Sequence, residues 1–331
     1  MIESSENIKV TVLLPVYNAE KYIAEAVNSV LNQTFEDFEL LILNDGSTDK
    51  SVEILNSIKD ERISIINNPK NLGLIATLNK GLEQAKGKYI ARMDADDVCY
   101  PNRFEEQVKF LDENEEYVIV GSNFLKFGFE NGESNLWNED EQIRVAVFFE
   151  SPMAHPTTMF RRDVISANAL TYDKRYLHLE DWALWFKILQ FGKAKNLENI
   201  LLKYRLEDQN ITTINHHSVT ERATSFLVDH LSHLYKDDLK NWADIHWAIA
   251  KGKFIQDSIN ELMSVRKDVK NAMVNYGLSI TSIDDFFKQK NEQMFYGISN
   301  SSGLKALKFA RKTGQLNLKT LIYGLKKCIR K

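Results

Sequence analysis

Cysteine is nearly missing from this chain: Cys99 and Cys328 are the two present in 331 residues. That excludes a disulfide framework and a four-thiolate zinc site, and it fits a reducing compartment. Glycine (14) and proline (5) are scarce, which excludes fibrous and low-complexity chains. No run of about 18 apolar residues occurs, so no transmembrane helix is expected. Neither sign of charge prevails. The 42 basic and 46 acidic side chains leave a net charge of −4, so the chain as a whole is not a polybasic nucleic-acid binder. Met1–Glu6 is polar and acidic, unlike a secretory signal. What is present is ordinary globular usage, 44% hydrophobic and 27% charged, which argues against disorder of the whole chain. The length suggests about two domains, or one large domain with an appendage.

The first hundred residues alternate between strand and helix periods. Lys9–Val16, Phe38–Leu43, Arg62–Ile66 and Lys88–Met93 read as strands. Between them lie helical patterns: Tyr22 to Leu31 after an Asn18 cap, Val52 to Ile58 after a Ser47 cap, and Ile75 to Ala85 closed by Gly87. This order implies βαβ units and a mostly parallel sheet, the α/β class. Ligands of such sheets bind beyond the carboxyl ends of the strands. Pro101 to Arg205 is mixed, with a helix through Phe104, Val108 and Leu111, a strand at Tyr117–Gly121 and a helix opening at Glu180-Asp181. Strand signals stop near Asn215. The expected division is therefore 1–215 for the α/β domain and 216–331 for a helical domain.

The strand ends hold the candidate chemistry. Asp94-Ala95-Asp96-Asp97 places three carboxylates in four residues. They repel unless a cation is shared, and hard oxygen donors suit Mg²⁺ or Mn²⁺. Val98 in fifth place departs from the EF-hand loop. The plain alternative is an acidic turn or helix cap. Asp45, in Asn44–Asp49, is suited to accept hydrogen bonds from a base or ribose, or belongs to a simple turn. Glu180-Asp181, ahead of Trp182 and Trp185, is either a dipole-favoured helix start or a general base beside a Trp-lined pocket. His155 is ambiguous, and His216-His217 lacks a spaced third metal ligand. There is no G-x-x-x-x-G-K-[ST] and no G-x-G-x-x-G, so P-loop and dinucleotide readings lose their support.

Together these pieces are specific. VLLPVYNAEKYIAEAVNSVLNQTFEDFELLILNDGSTD, then NLGLIATLNKGLEQAKGKYIARMDADD, then LEDWALWFKI resemble the family 2 nucleotide-sugar glycosyltransferases of GT-A fold, from about residue 8 to residue 206. The resemblance implies roles. Pro15, Val16 and Tyr17 would flank the nucleobase, and Asp45 would contact base or ribose. Asp94 would lie near the ribose and sugar, while Asp96, with Asp97 beside it, would hold the divalent metal. Asp181 would be the base that deprotonates the acceptor hydroxyl. Tyr204-Arg205-Leu206-Glu207 has Glu207 where the family often has His, so a late His contact is not expected. The implied activity is inverting, metal-dependent transfer from a nucleoside diphosphate sugar, uridine-linked, to a glycan or lipid-linked hydroxyl in surface polysaccharide synthesis. The alternatives are a sugar-1-phosphate nucleotidyltransferase, which would open with a Gly-rich basic loop after the first strand, and a non-catalytic glycan-binding or scaffold subunit.

The tail after Gly303 carries Lys305, Lys308, Arg311, Lys312, Lys319, Lys326, Lys327, Arg330 and Lys331, with no acid and a stripe of Leu318, Leu321, Ile322, Leu325 and Ile329. Two readings stay open: a basic amphipathic helix on an anionic membrane, peripheral on the cytoplasmic face, or a terminal helix packed on its own domain.

Overall fold

The computed structural model describes residues 8–207, 216–232, 239–252, 259–301, 303–317, 319–321 and 323. The chain divides into two compact units. Met1–Ile143 and Ser151–His216 form the first, and Arg144–Glu150 and His217–Lys331 form the second.

The first unit is built on strands buried along their whole length. β1 (Val10–Val16) and β2 (Phe38–Asn44) expose almost nothing. Both faces are covered, so their sequences are continuous apolar runs rather than alternating ones. β1 pairs in parallel with β2 and with β4 (Tyr89–Arg92), and β2 pairs in parallel with β3 (Ile63–Asn67). The helices α1 (Ile23–Leu31), α2 (Ser51–Ser57) and α3 (Leu74–Gln84) are the crossovers. Ile23, Ala26, Val27 and Val30 bury one face of α1 at helical spacing. A polar exception fixes the end of the α3–β4 turn. The Thr11 hydroxyl donates to Glu39 at 2.6 Å and accepts from the Gly87 amide at 2.8 Å. At Gly87 a Cβ would stand 2.4 Å from the Thr11 nitrogen, which is why no side chain fits there.

Beyond β4 the sheet becomes mixed, with parallel and antiparallel pairs. The remaining strands are β5 (Val98–Cys99), β6 (Tyr117–Gly128), β7 (Gly132–Glu133), β8 (Met159–Arg161) and β9 (Lys193–Leu206). They complete a nine-stranded sheet of order β3-β2-β1-β4-β8-β6-β9-β5, with β7 paired to β6. β8 is antiparallel to both β4 and β6, while β6 and β9 run parallel with register shifts near Asn123. The parallel ladders carry most of the pairing, as the α/β reading expects. This unit also holds α4 (Arg103–Glu113), α6 (Arg162–Ala167) and α7 (Glu180–Ile188), and α5 (Asp140–Ala146) begins in it.

Two expected caps are absent. Asn18 has φ 50°, and its side-chain Oδ1 accepts from the Thr48 amide at 2.8 Å. α1 begins later, at Ile23. The Ser47 hydroxyl accepts from the Asn18 amide, and Asp49, not Ser47, accepts from the Ser51 amide at the start of α2. Both side chains join two strand-end loops instead of opening helices.

The second unit is helical: α8 (His216–Leu231, from His217 on), α9 (Leu239–Ala250), α10 (Ile259–Asn275), α11 (Ile280–Ser301) and α12 (Gly303–Lys312). Ala306, Phe309 and Ala310 of α12 are buried, whereas Lys305, Lys308, Arg311 and Lys312 are exposed. Leu318, Ile322, Leu325, Lys326, Lys327, Ile329, Arg330 and Lys331 lie outside the described residues. No helix among the described residues is long and apolar enough to cross a membrane.

Candidate active site

The loops after β1 and β2 form the first part of the site. Pro15 and Val16 are buried at the end of β1, so Val16 offers its backbone alone, while Tyr17 is half exposed. Asp45 is 4% exposed. Its carboxylate accepts from the Asn68 amide group at 2.9 Å and from the backbone amides of Leu72 and Gly73 at 2.8 and 2.9 Å. Asp45 therefore gathers the loop before α3 onto the end of β2. Gly46 follows with φ 74°, and a Cβ there would stand 2.5 Å from the Lys70 carbonyl carbon. Gly46→Ala meets both a left-handed backbone, worth about 1–2 kcal/mol, and a backbone clash. The expected outcome is a lower Tm, measured by thermal unfolding.

The second part is the acidic loop after β4. β4 ends at Arg92, so Asp94 and Asp96 sit on a turn and not on alternate positions of a strand. The turn nevertheless brings carboxylate oxygens of Asp94, Asp96 and Asp97 within 4.8 Å of one another. Asp97 is 1% exposed. One of its oxygens accepts from the Arg205 amide at 2.8 Å, and the other has no partner among the described residues. Burial first, then the charge of Asp94, pushes the Asp96 carboxyl up to about 6. Burial and both neighbours push Asp97 well up as well. Crowded, partly buried, all-oxygen donors with an orphaned oxygen on the buried Asp97 fit a divalent cation such as Mg²⁺ or Mn²⁺.

Behind this loop lies a cation that the sequence reading did not single out. Arg92 is 3% exposed and pairs with Asp94. Its carbonyl accepts from the guanidinium of Arg103 at 2.8 Å, and Arg103, fully buried on α4, also bonds the Gln107 side chain and the Thr158 carbonyl. Those contacts hold the end of β4 in place. The field of Arg92 reaches Glu180, Asp181, Tyr172 and His155, and it favours the ionised acids and the neutral imidazole. The one clue in the sequence is an arginine inside the apolar run KYIARM.

The third part is the start of α7. Asp181 accepts from the Ser151 hydroxyl at 2.9 Å and from the Trp182 amide at 2.7 Å. Burial pushes its carboxyl above the ordinary range, and the two hydrogen bonds and Arg92 draw it back. Glu180 is 6% exposed and is pushed up to about 7 by burial and by the charge of Asp181. Trp182 and Trp185 are fully buried. They fill the core instead of lining an open pocket, which corrects the aromatic-pocket expectation. His155 bonds the Tyr172 hydroxyl at 2.9 Å, and burial holds its imidazole well below the usual range, so it is neutral.

The end of β9 closes the other side. Arg205 donates to the Asp96 carbonyl at 2.8 Å and lies over the Tyr22 ring. Glu207 accepts from the Tyr22 hydroxyl and pairs with Lys21. The position where the resemblance implied a His is held by an acid tied to the residues just ahead of α1. The side chains of His216 and His217 lie outside the described residues.

Solved structures share this fold. One is S. aureus TarS 1-349 in complex with UDP-GlcNAc, at TM-score 0.61 and 16% identity, covering 97% of this chain and 88% of that one. Another is the mannosyltransferase PcManGT from Pyrobaculum calidifontis in complex with GDP-Man and Mn2+, at TM-score 0.55 and 15% identity, covering 97% and 87%. The fold is therefore that of glycosyltransferases. Residues 11–170 match the profile described as Glycosyl transferase family 2. An uncharacterized glycosyltransferase of Haemophilus influenzae is 35% identical over 228 residues, 65% of this chain and 70% of its own length. The amylovoran biosynthesis glycosyltransferase AmsE of Erwinia amylovora is 32% identical over 204 residues, 59% and 75%. The chain belongs to glycosyl transferase family 2 and is an enzyme of that family. The nucleotidyltransferase and scaffold alternatives fall away.

Proposed function

We propose that the enzyme moves a sugar from a nucleoside diphosphate sugar, uridine-linked, to a hydroxyl of a glycan or lipid-linked acceptor in surface polysaccharide synthesis, inverting the anomeric carbon. The observation that carries this reading is the pair of acidic sets from separate segments, the Asp94–Asp97 turn and Asp181, lying in the field of one buried cation, Arg92. Asp96 and Asp97 would hold a divalent cation, which when bound neutralises charge on a diphosphate leaving group. Tyr17, half exposed after β1, offers a ring to the base. Asp94, held by Arg92, stands ready for sugar or ribose hydroxyls. Asp181 takes the acceptor proton, and its hydrogen bonds from Ser151 and Trp182 fix the direction of the carboxylate. Holding both sugars in line supplies proximity. The donor structures of TarS and PcManGT support a nucleotide-sugar donor, and the name of AmsE supports a polysaccharide product. A panel of nucleotide sugars with and without Mn²⁺ or Mg²⁺, read by released nucleoside diphosphate, tests the reading. Release from none of them with any acceptor class refutes it.

The tail extends the proposal. The apolar face of α12 is used inside its own unit, which leaves exposed cations to meet anionic headgroups. Binding is then electrostatic and weakens with salt, because charges are screened over about 8 Å at physiological ionic strength. Full-length protein is expected to co-sediment with phosphatidylglycerol vesicles more than protein ending at Ser302. Equal sedimentation refutes the contact.

A further inference from the structure

We infer that Asn68 and Lys80 choose the base of the donor: they fix Asp45 so that one acceptor position remains on it, which admits uracil and turns guanine away. The inference rests on the nucleoside diphosphate donor proposed above and extends it to the residues that read the base.

Asp45 stands where a base can be read. Its backbone amide donates to the Val16 carbonyl at 2.8 Å, which pins the end of β2 to the residue before Tyr17. Its carboxylate holds the backbone amide of Leu72. The two loops joined in this way each present one large apolar side chain, Tyr17 and Leu72, both about half exposed. Apolar side chains beside a carboxylate suit a flat heterocycle, which has faces for the former and an edge for the latter.

A carboxylate has about four acceptor positions, two on each oxygen. Oδ1 of Asp45 receives the Asn68 side-chain amide at 2.9 Å and the Leu72 backbone amide at 2.8 Å, so both of its positions are taken. Among the described residues Oδ2 receives the Gly73 amide alone, at 2.9 Å, and that proton is shared with Oδ1 of Asn71. One position is left, on Oδ2. The Asn68 group is not free to turn round. Lys80 on α3 donates to its Oδ1 at 2.9 Å, and an ammonium has no acceptor to offer a flipped amide. The Asn68 nitrogen therefore faces Asp45 and the Thr77 hydroxyl, at 2.9 and 3.0 Å, and both of its protons are used. Asn68 and Lys80 act through Asp45, and so are positioning residues.

Uracil offers a single N3–H between two carbonyls, which matches a single remaining acceptor position. Guanine offers two donors side by side, N1–H and the exocyclic amine, and a carboxylate takes both only with a position open on each oxygen. Here the second donor meets an oxygen already held by two N–H groups and is left unpaired, which is how a polar site rejects a near neighbour of its ligand. Cytosine carries a lone pair at N3 and is repelled by the same carboxylate.

Calorimetric titration of UDP, GDP and CDP in one Mn²⁺ buffer compares the wild type with Asn68→Ala, Lys80→Met and Asp45→Asn. The wild type is expected to favour UDP over both others by at least about 10-fold, the scale of one hydrogen bond to a charged group. Asn68→Ala opens a position on Oδ1, so its UDP-to-GDP preference is expected to fall about 10-fold through tighter GDP binding, while its UDP-to-CDP preference stays. Lys80→Met lets the amide turn and moves the same ratio in the same direction by less; it decides the matter should Asn68→Ala fail to fold. A loop that is merely loosened weakens all three nucleotides alike, so unchanged ratios in both variants overturn the inference. Asp45→Asn can donate to cytosine N3, and its UDP-to-CDP preference is expected to collapse. Collapse there, beside an unmoved UDP-to-GDP ratio in Asn68→Ala, defeats this inference alone. No change in Asp45→Asn means that Asp45 does not read the base, and the inference falls while the donor reading stands. A wild type that binds none of the three nucleotides defeats the donor reading itself.

Discussion

Asp181→Asn is expected to transfer sugar about 10²–10⁴-fold more slowly than the wild type, while nucleotide affinity stays as it was. The amide keeps the size of the carboxylate; its one oxygen can still accept from the Trp182 amide, its NH2 faces a Ser151 hydroxyl that can turn to accept, and it has no basic site for a proton. A base acts on the acceptor hydroxyl as the transition state forms, so its loss falls on kcat and spares ground-state donor binding. Glu180 is the competitor. It is pushed up to about 7, closer than an ordinary carboxylate to the working range of a general base. Its geometry argues the other way, because one oxygen of Glu180 turns back to accept from the amide of His178. Glu180→Gln measured beside Asp181→Asn decides. A dead Glu180→Gln with a live Asp181→Asn moves the role by one residue, and two live variants place the base elsewhere. The pH profile gives an independent reading. Only ionised Asp181 takes a proton, so kcat falls as pH drops through its pKa. Burial raises that pKa, so the limb is expected above the ordinary aspartate value of about 3.9.

Asp96→Ala is expected to abolish most of the gain in UDP affinity that Mn²⁺ or Mg²⁺ brings. Even groups that merely orient metal ligands cost about 10–100-fold in metal affinity when removed, so a direct ligand should cost at least as much. The argument is electrostatic. Three carboxylates whose oxygens lie within 4.8 Å are held in the fold at the expense of mutual repulsion, and burial heightens it. A cation relieves the repulsion, and a diphosphate then meets a positive centre instead of an acidic turn. Calorimetric titration of UDP into both proteins, with metal and with EDTA, checks it. Equal wild-type affinity in the two buffers would sink the metal role.

The sequence made the buried half of the sheet easy to read and the rest hard. β1, β2 and β4 are covered on both faces, so their residues form unbroken apolar runs that cannot be mistaken for surface. β8 has three residues and β9 is rich in Lys, Asn and Glu with shifted register, so neither leaves a periodic trace. Asn18 and Ser47 have the side chains of helix caps, yet each found a partner on the neighbouring loop. The acidic turn was legible because its members are adjacent in the chain. Ser151 and Asp181 lie 30 residues apart, and nothing local announces that they will meet. Arg92 hides within a strand run, although its charge acts on both acidic sets.

The helical unit takes part of its interior from residues 144–150, far upstream of its helices in the chain, and this has a consequence for how the chain acquires its shape. Synthesis runs from the N-terminus, and domains ordinarily fold as they emerge. Here Phe149 reaches its partners Phe286 and Phe287 only after well over a hundred further residues have been made. Until then two adjacent phenylalanines have no core to enter. The second unit is not continuous in the chain, and a protein cut after His216 would carry Phe148 and Phe149 as a greasy stub. Its poor solubility would then report on the missing helices and not on the catalytic fold.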